Sequence, residues 1–423
     1  MTSPQVEPFQ PLTERIERDI MDLARIRDAD NPGWTREVFS SSYRESREWI
    51  GAKMSDAGLE VHRDETGNIV GVLHGSSPSA PALVTGSHTD TVVGGGRFDG
   101  VVGVLGSLEL VRQLRERNMT LTRDLIVVDF LGEESNDFGL SCLGSRALAG
   151  ELTSSDFDRR NGDGIRLGDT YTEFGLDPSD VLCADWARRL PLHCYMELHI
   201  EQGPLLRRKE ASIGIVTAIA GIERLIAYFE GRPDHAGTTP MDDRRDAMVA
   251  AAQAVLSVQR EGCGAPVHGV ATTTRLASLP ASPNVVPGAV QLRAEMRSID
   301  DEWFSAAKRR LAAEIVSKAR EQHVEVKLEW TSDNPIVATS GDIHDVVARS
   351  ADSNGLTWEA VPSGATHDAV HFSRLCPMGM IFIPSLNGRS HCPEEWTDFS
   401  EISAGVQVLG SSLLALDKED HVS

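Results

Sequence analysis

The run Gly86-Ser87-His88-Thr89-Asp90-Thr91 follows directly on the apolar segment Ala82 to Thr85. If the extended chain persists, His88 and Asp90 face the same way, because strand side chains alternate with period two. An imidazole beside a carboxylate can serve as a metal ligand and its orienting partner, although a polar strand end is the commoner explanation when the pair is taken alone. Asp99 stands in Gly94-Gly95-Gly96-Arg97-Phe98-Asp99-Gly100, at the entry to a helical pattern, where it reads as a ligand or as an N-cap. The run lacks the Gly-Lys-Ser/Thr ending of a phosphate loop. Glu133 and Glu134 follow the apolar run Leu125 to Leu131. Adjacent carboxylates at a buried strand exit repel unless a cation or a shared proton offsets them. One of them can bind a metal while the other acts as general base toward a water that the metal acidifies. His199 lies in Met196-Glu197-Leu198-His199-Ile200-Glu201-Gln202-Gly203-Pro204 and His391 in Asn387-Gly388-Arg389-Ser390-His391-Cys392-Pro393. A lone histidine is more often structural, and it is the convergence of imidazoles and carboxylates at strand exits that points to one site. Nitrogen and oxygen ligands without sulfur suit zinc, manganese, nickel or cobalt, and a dinuclear site with one bridging carboxylate accommodates the whole set.

Such a set needs strands that end together. Amphipathic stretches at Leu12 to Arg27 and Arg36 to Ala57 precede strand-like runs at Leu59 to His62, Ile69 to Leu73, Ala82 to Thr85 and Leu125 to Leu131, with a helical pattern from Val101 to Arg117. The alternation predicts an α/β fold with a mostly parallel central sheet, in which functional groups gather at strand ends. The polar segment Ser154 to Arg189 is expected on the surface with short helices. Between 216 and 333 the order becomes strand (Ile222 to Glu230), helix (Asp242 to Gln259), strand (Val267 to Ala277), strand (Ala289 to Arg297), helix (Asp301 to Gln322) and strand (Val324 to Trp330). That is the split βαβ order of a ferredoxin-like α+β domain. The expected organisation is therefore a catalytic, metal-binding domain over 1–215 and 334–423, completed by a strand at Met380 to Pro384 and a helix at Ser400 to Ala415, with an inserted lid or dimerisation domain over 216–333.

The chain has 423 residues, with 41 Lys+Arg against 63 Asp+Glu and a formal net charge of −22. That excess of acid excludes nucleic acid and an anionic membrane as partners, since both require a basic face. No apolar run approaches the about 18 residues of a bilayer span, and the first eight residues lack the basic and apolar regions of a secretory signal, so a cytoplasmic location is expected. Six cysteines without a C-x-x-C pair suggest buried thiols, not a thiolate zinc site or a disulfide framework.

Taken together, Ser87-His88-Thr89-Asp90-Thr91, Gly95-Gly96-Arg97-Phe98-Asp99-Gly100, Glu133-Glu134, Glu197 to Pro204, Asp234-His235-Ala236-Gly237-Thr238-Thr239-Pro240-Met241, Pro283-Asn284-Val285-Val286-Pro287-Gly288, Ser363-Gly364-Ala365-Thr366-His367-Asp368-Ala369 and Ser390-His391-Cys392-Pro393-Glu394-Glu395 resemble the hydantoinase/carbamoylase amidases. The resemblance spans roughly residues 10 to 415, and the wider clan is the di-metal aminoacylase and carboxypeptidase type. It implies that His88, Asp99 and His199 hold one divalent metal and Asp99, Glu134 and His391 a second, with Asp99 bridging. Glu133 would be the general base and Asp90 would orient His88. His235 would come from a partner subunit to stabilise the oxyanion, while Gln202, Asn284, Arg297 and His367 match substrate-binding or active-site positions. Asp137 and Thr366 depart from the family pattern, where a basic residue and a glycine are common. The implied activity is hydrolysis of a linear N-carbamoyl-L-amino acid by a homodimer. The alternatives are an allantoate or ureidoglycolate amidohydrolase, an aminoacylase or dipeptidase, and a catalytically silent binding protein.

Overall fold

The computed structural model describes residues 9–266, 268–278 and 282–422. Residues 1–8, read above for a secretory signal, and Val267, read above as a strand start, lie outside the described residues. The chain divides into two compact units, Met1–Thr217 with Thr339–Val361 and His367–Ser423, and Ala218–Ala338 with Pro362–Thr366.

Six strands come first: β1 (Glu60–Arg63), β2 (Ile69–Leu73), β3 (Ala82–His88), β4 (Leu125–Phe130), β5 (Leu192–Ile200) and β6 (Ile213–Ile219). The inserted part supplies β7 (Gly221–Glu230), β8 (Asp234–His235), β9 (Val270–Ser278), β10 (Val285–Val286), β11 (Ala289–Ser298) and β12 (Glu325–Asn334). The chain then adds β13 (Val337–Ala338), β14 (Trp358–Ser363) and β15 (Met378–Ile383).

In the first unit the strand order runs β1-β2-β4-β3-β5-β15-β6. β4, β3, β5 and β15 are mutually parallel, and the strands outside them pair antiparallel. The parallel part is thus the middle of the sheet, where β3, β4 and β15 are buried along their whole length, as burial on both faces requires. The helix Val101–Glu116, buried over most of its residues, packs against β3, β4 and β5. The helix Ser41–Asp56 starts where the Ser40 hydroxyl accepts the Tyr43 N–H at 3.1 Å, five residues after the apolar periodicity begins. The segment 154–189 does form short helices, but it also closes a small core of Phe157, Leu167, Tyr171 and Phe174. The helix Phe399–Leu416 is long and apolar enough by composition to cross a bilayer, which corrects the expectation that no run of that length exists. Half of it is buried, and it packs on the helix Val101–Glu116 and on β15 as a core helix does.

The second unit holds an antiparallel four-stranded sheet in the order β12-β7-β11-β9. Residues of β11 alternate between buried and more exposed, and the helices Ala247–Cys263 and Asp301–Glu321 cover the buried face. Both helices are capped by aspartates: Asp246 accepts from Met248 and Val249 N–H, and Asp300 from Trp303 N–H.

Candidate metal centre

The four parallel strands carry the site at their carboxyl ends. His88 is the last residue of β3, Glu133 and Glu134 follow β4 through the left-handed Gly132, His199 is the penultimate residue of β5, and the loop after β15 leads to His391. Chemistry collects at this edge because strand ends expose side chains that the sheet below holds rigid. Asp99 enters from the loop before the helix Val101–Glu116. The N-cap position belongs to Gly100, not Asp99, and the Asp99 carboxylate turns toward the imidazoles. Gly100 adopts φ of +66°, and a Cβ there would overlap the His88 ring, so both conformation and close approach require glycine.

Two ligand groups share Asp99. In His88, Asp99 and His199, and again in Asp99, Glu134 and His391, one ligand atom per residue lies within 4.8 Å of the others. His199 Nε2 is 3.2 Å from Asp99 Oδ1 and His88 Nε2 is 3.8 Å from it. His391 Nε2 is 3.2 Å from Asp99 Oδ2 and 3.3 Å from Glu134 Oε1. Two ligands about 2.1 Å from one tetrahedral cation stand about 3.4 Å apart, so these separations suit ligation. The imidazole tautomers fit as well. Nδ1 of His88 faces the Asp90 carbonyl at 3.1 Å and Nδ1 of His199 faces the Ile200 carbonyl at 2.9 Å, which puts the protons there and the lone pairs on Nε2. The Gly100 N–H donates to His199 Nε2 at 3.2 Å, consistent with a lone pair on that atom. His88 Nε2 is buried with no hydrogen-bond partner, an orphaned lone pair that a cation would satisfy.

Burial and mutual charge set the electrostatics. Burial alone would raise the Asp99 pKa, yet the adjoining imidazoles of His199 and His391 hold it well below the usual carboxylate range. Glu134 is pushed up to about 7 by burial and by Asp99, against the pull of His391. Burial first, and then the neighbouring Glu134 and Asp368, raise Glu133 well above its ordinary value against His88. His391 rises to about 9 through its hydrogen bond with Asp99. Acids and bases so displaced mark a candidate functional site whose groups, once deprotonated, could hold a cation.

Glu133 Oε2 lies 3.6 Å from His88 Nε2, on the rim of the first ligand group. Asp90 meets His88 Nδ1 through its backbone carbonyl at 3.1 Å, with its carboxylate oxygen at 3.5 Å. The carboxylate also accepts the N–H groups of Glu133 at 3.1 Å and Glu134 at 3.0 Å, fixing the turn that carries both acids. Gln202, at φ of +57°, donates its side-chain amide to Asp99 Oδ2 at 2.7 Å. A residue strained in this way beside a charged cluster is consistent with a functional constraint. His367 is buried, with its ring 4.5 Å from that of His199.

The inserted unit holds the other expected site residues. His235 is exposed, and its Nδ1 accepts the N–H groups of Gly237 at 3.0 Å and Thr238 at 3.2 Å, which leaves the proton on Nε2. Asn284 lies beside it, its carbonyl accepting the Ala236 N–H. Arg297 donates from Nε to Glu295 and from Nη1 to the Gly364 carbonyl. Thr366 hydrogen bonds to Asn334 Oδ1 at 3.2 Å.

Several supporting groups escaped sequence reasoning. Asp129, buried within β4, accepts from the Thr89 hydroxyl at 3.0 Å and from Arg47 at 2.8 Å, pinning the turn between His88 and Asp90. The buried Arg36 donates to the Thr89 carbonyl at 2.7 Å. Glu197 accepts from Ser87 and Tyr195 beneath His199. Period-two alternation along β4 and β5 marks Asp129 and Glu197 as acids inside apolar strands, which was the signal available for them.

Residues 84–415 match the peptidase family M20/M25/M40. An N-carbamoyl-L-amino-acid amidohydrolase of Paenarthrobacter aurescens is 36% identical over 407 residues, covering 96% of this chain and 98% of the relative. A ureidoglycolate hydrolase of Arabidopsis thaliana is 33% identical, with 95% and 86% covered. A crystal structure of a hydantoinase/carbamoylase family amidase from Burkholderia multivorans superposes with a TM-score of 0.86 at 31% identity, covering 97% of this chain and 99% of the other. Matching along almost its whole length in both sequence and fold, the chain belongs to the M20/M25/M40 peptidase family, among its hydantoinase/carbamoylase amidases, and is a hydrolase of non-peptide C–N bonds.

Proposed function

We propose that the protein hydrolyses the carbamoyl C–N bond of a linear N-carbamoyl-L-amino acid, with two divalent cations drawn from zinc, manganese, nickel and cobalt. The observation that carries this reading is the sharing of Asp99 between two ligand groups with Glu133 beside His88. Cations held by His88, Asp99 and His199 and by Asp99, Glu134 and His391 would supply Lewis acidity to the ureido carbonyl and acidify water. Glu133 takes a proton from the attacking water and later delivers it to the departing nitrogen. Water oxygen bonds to the carbonyl carbon, the carbonyl electron pair moves onto its oxygen, and collapse of the tetrahedral adduct breaks the C–N bond. The net products are the amino acid, ammonia and carbon dioxide.

In this reading the protein acts as a homodimer, and the partner subunit's His235 donates its Nε2–H to the developing oxyanion. The tautomer fixed by Gly237 and Thr238 supports that assignment. Arg297 binds the substrate carboxylate, and Gln202, Asn284 and His367 contact its polar groups. Asp90 orients His88 and also holds the Glu133-Glu134 turn that carries the base. The inserted unit serves as lid and dimerisation domain, and a cytoplasmic location accords with six unpaired cysteines.

Hydrolysis of ureidoglycolate is the second reading, favoured by the Arabidopsis thaliana relative. Ammonia release from carbamoyl amino acids, allantoate, ureidoglycolate and acyl amino acids, each with added manganese, zinc, nickel or cobalt, separates the two. The expected result is a kcat/KM at least about tenfold higher on one carbamoyl amino acid, a gap of about 1.4 kcal/mol. Highest activity on ureidoglycolate transfers the conclusion to the second reading. Glu133→Gln is expected to keep the metal and lose about 10²–10⁴-fold in turnover, the range for general-base catalysis. Full activity in that variant refutes the base.

A further inference from the structure

We propose that Glu395 is a positioning residue that locks the two ligand-bearing loops of the metal centre together, acting through Ser390. Glu395 is only 1% exposed, and its carboxylate is spent on the protein. Oε1 accepts the backbone N–H of Phe98 at 2.9 Å and of Asp99 at 3.2 Å. Oε2 lies 2.7 Å from the Ser390 hydroxyl, and the same hydroxyl oxygen is 2.8 Å from Asp99 Oδ2. One carboxylate therefore grips the backbone of the bridging ligand, and one serine couples it to that ligand's side chain. Ser390 directly precedes His391, whose backbone is held at φ of +55°. The two loops are almost three hundred residues apart in sequence, and this three-residue bridge is a connection at the metal end of the fold.

The approach is close enough to dictate sequence. A Cβ on Gly96 would overlap the Glu395 carboxylate, so the glycine run before Asp99 serves Glu395 at that position. Gln202 donates to the same Asp99 Oδ2 at 2.7 Å from the ligand side, its amide nitrogen being 3.4 Å from His391 Nε2. With Oδ2 steadied by Ser390, the Asp99 carboxylate plane is fixed so that Oδ1 faces His199 and Oδ2 faces His391. A bridging carboxylate must present its two oxygens in fixed directions, and hydrogen bonds behind the ligands supply that order. The hydrogen bonds of the Glu395 carboxylate go to Phe98, Asp99 and Ser390 and to no imidazole of the set, so its effect is expected on how tightly and in what geometry cations bind.

This inference rests on the two-cation reading, and the experiment separates the two. Wild-type protein, Glu395→Ala, Glu395→Gln and Ser390→Ala are stripped with chelator and titrated with Mn²⁺ or Zn²⁺ alone, reading stoichiometry and affinity by calorimetry. Co²⁺-loaded samples report coordination geometry through visible absorption. Glu395→Ala is expected to weaken the binding of at least one cation by about 10–100-fold and to alter the Co²⁺ spectrum. Glu395→Gln keeps an acceptor for the backbone N–H groups and a donor toward Ser390, and is expected to restore affinity to within about fivefold of wild type by this logic. Ser390→Ala, a smaller change, is expected to fall between them and stands in if Glu395→Ala does not fold. Folded Glu395→Ala or Ser390→Ala with wild-type affinity and spectrum overturns the positioning role. Wild-type protein that binds no cation removes the metal reading itself, and this inference with it.

Discussion

A single methyl group at Gly100 should disable the centre, and the structure gives the size of the effect. Two costs add in Gly100→Ala. The backbone at φ of +66° and ψ of −41° lies outside the left-handed helical region and costs an alanine about 1–3 kcal/mol. The new Cβ overlaps the His88 ring, and restoring carbon contacts of about 3.5 Å moves ring or loop by about 1 Å, beyond the about 0.5 Å within which a functional constellation must be held. His88 has no slack to give, because it is 1% exposed and its Nδ1 is tied to the Asp90 carbonyl. A displacement of that size costs about 100-fold in rate. Gly355→Ala is the control: φ there is +70° and nothing lies within 4 Å of the added Cβ, so it isolates the backbone cost. Chemical denaturation, bound metal and kcat/KM are measured on all three proteins. Gly100→Ala should lose more stability than Gly355→Ala, and only Gly100→Ala loses metal affinity and about two orders of magnitude in kcat/KM. Wild-type kcat/KM and metal affinity in Gly100→Ala would refute the packing argument.

Three further outcomes follow from the same geometry. Asp90→Asn leaves one of the Glu133 and Glu134 N–H groups facing an amide NH₂, so it should cost about 3–5 kcal/mol in stability from a lost charge-assisted bond plus an unpaired buried donor; a loss under about 1 kcal/mol by urea titration would contradict the assignment. In metal-free protein, Glu134 is raised from 4.5 to about 7 and His391 from 6.5 to about 9. The folded Glu134 resists ionising between those values, and the His391 contribution, full below 6.5, is lost as pH rises through about 9. Both signs make apo stability fall as pH climbs from about 5 to 9, whereas the cation-loaded protein should show a shallower slope in melting experiments; equal slopes would count against these groups being the ligands. Asp19, buried and bonded to Lys53 at 2.8 Å and Arg112 at 2.6 Å, has its pKa lowered despite burial, and contributes stability present above about 3.8 and lost as pH falls through its folded value. Asp19→Asn should therefore lower stability at pH 7 by about 2 kcal/mol without changing kcat.

The candidate ligand set was legible because its members punctuate strands. His88, Glu133-Glu134 and His199 each end an apolar run, and any reading that finds the runs finds the residues. The split βαβ order between 216 and 333 was legible for a similar reason, since alternation in β7 and β11 leaves one face apolar. What stayed hidden depends on partners distant in sequence. Asp90 has no local feature that says its oxygens will reach the Glu133 and Glu134 amides, and Glu395 reads as one acid in an exposed-looking loop until it folds against Gly96 and Phe98. The antiparallel flanks of the main sheet were hidden too, because nothing in the short runs Glu60-Val61-His62-Arg63 and Ile69-Val70-Gly71-Val72-Leu73 states the direction in which they pair.

The central claim is that one carboxylate joins two cations. Crystals of the full chain grown with Mn²⁺, with data collected at the manganese absorption edge, measure that directly. Two anomalous peaks about 3.5–4 Å apart are expected, one among His88, Asp99 and His199 and the other among Asp99, Glu134 and His391. A single peak, or two peaks that do not share Asp99, would contradict it.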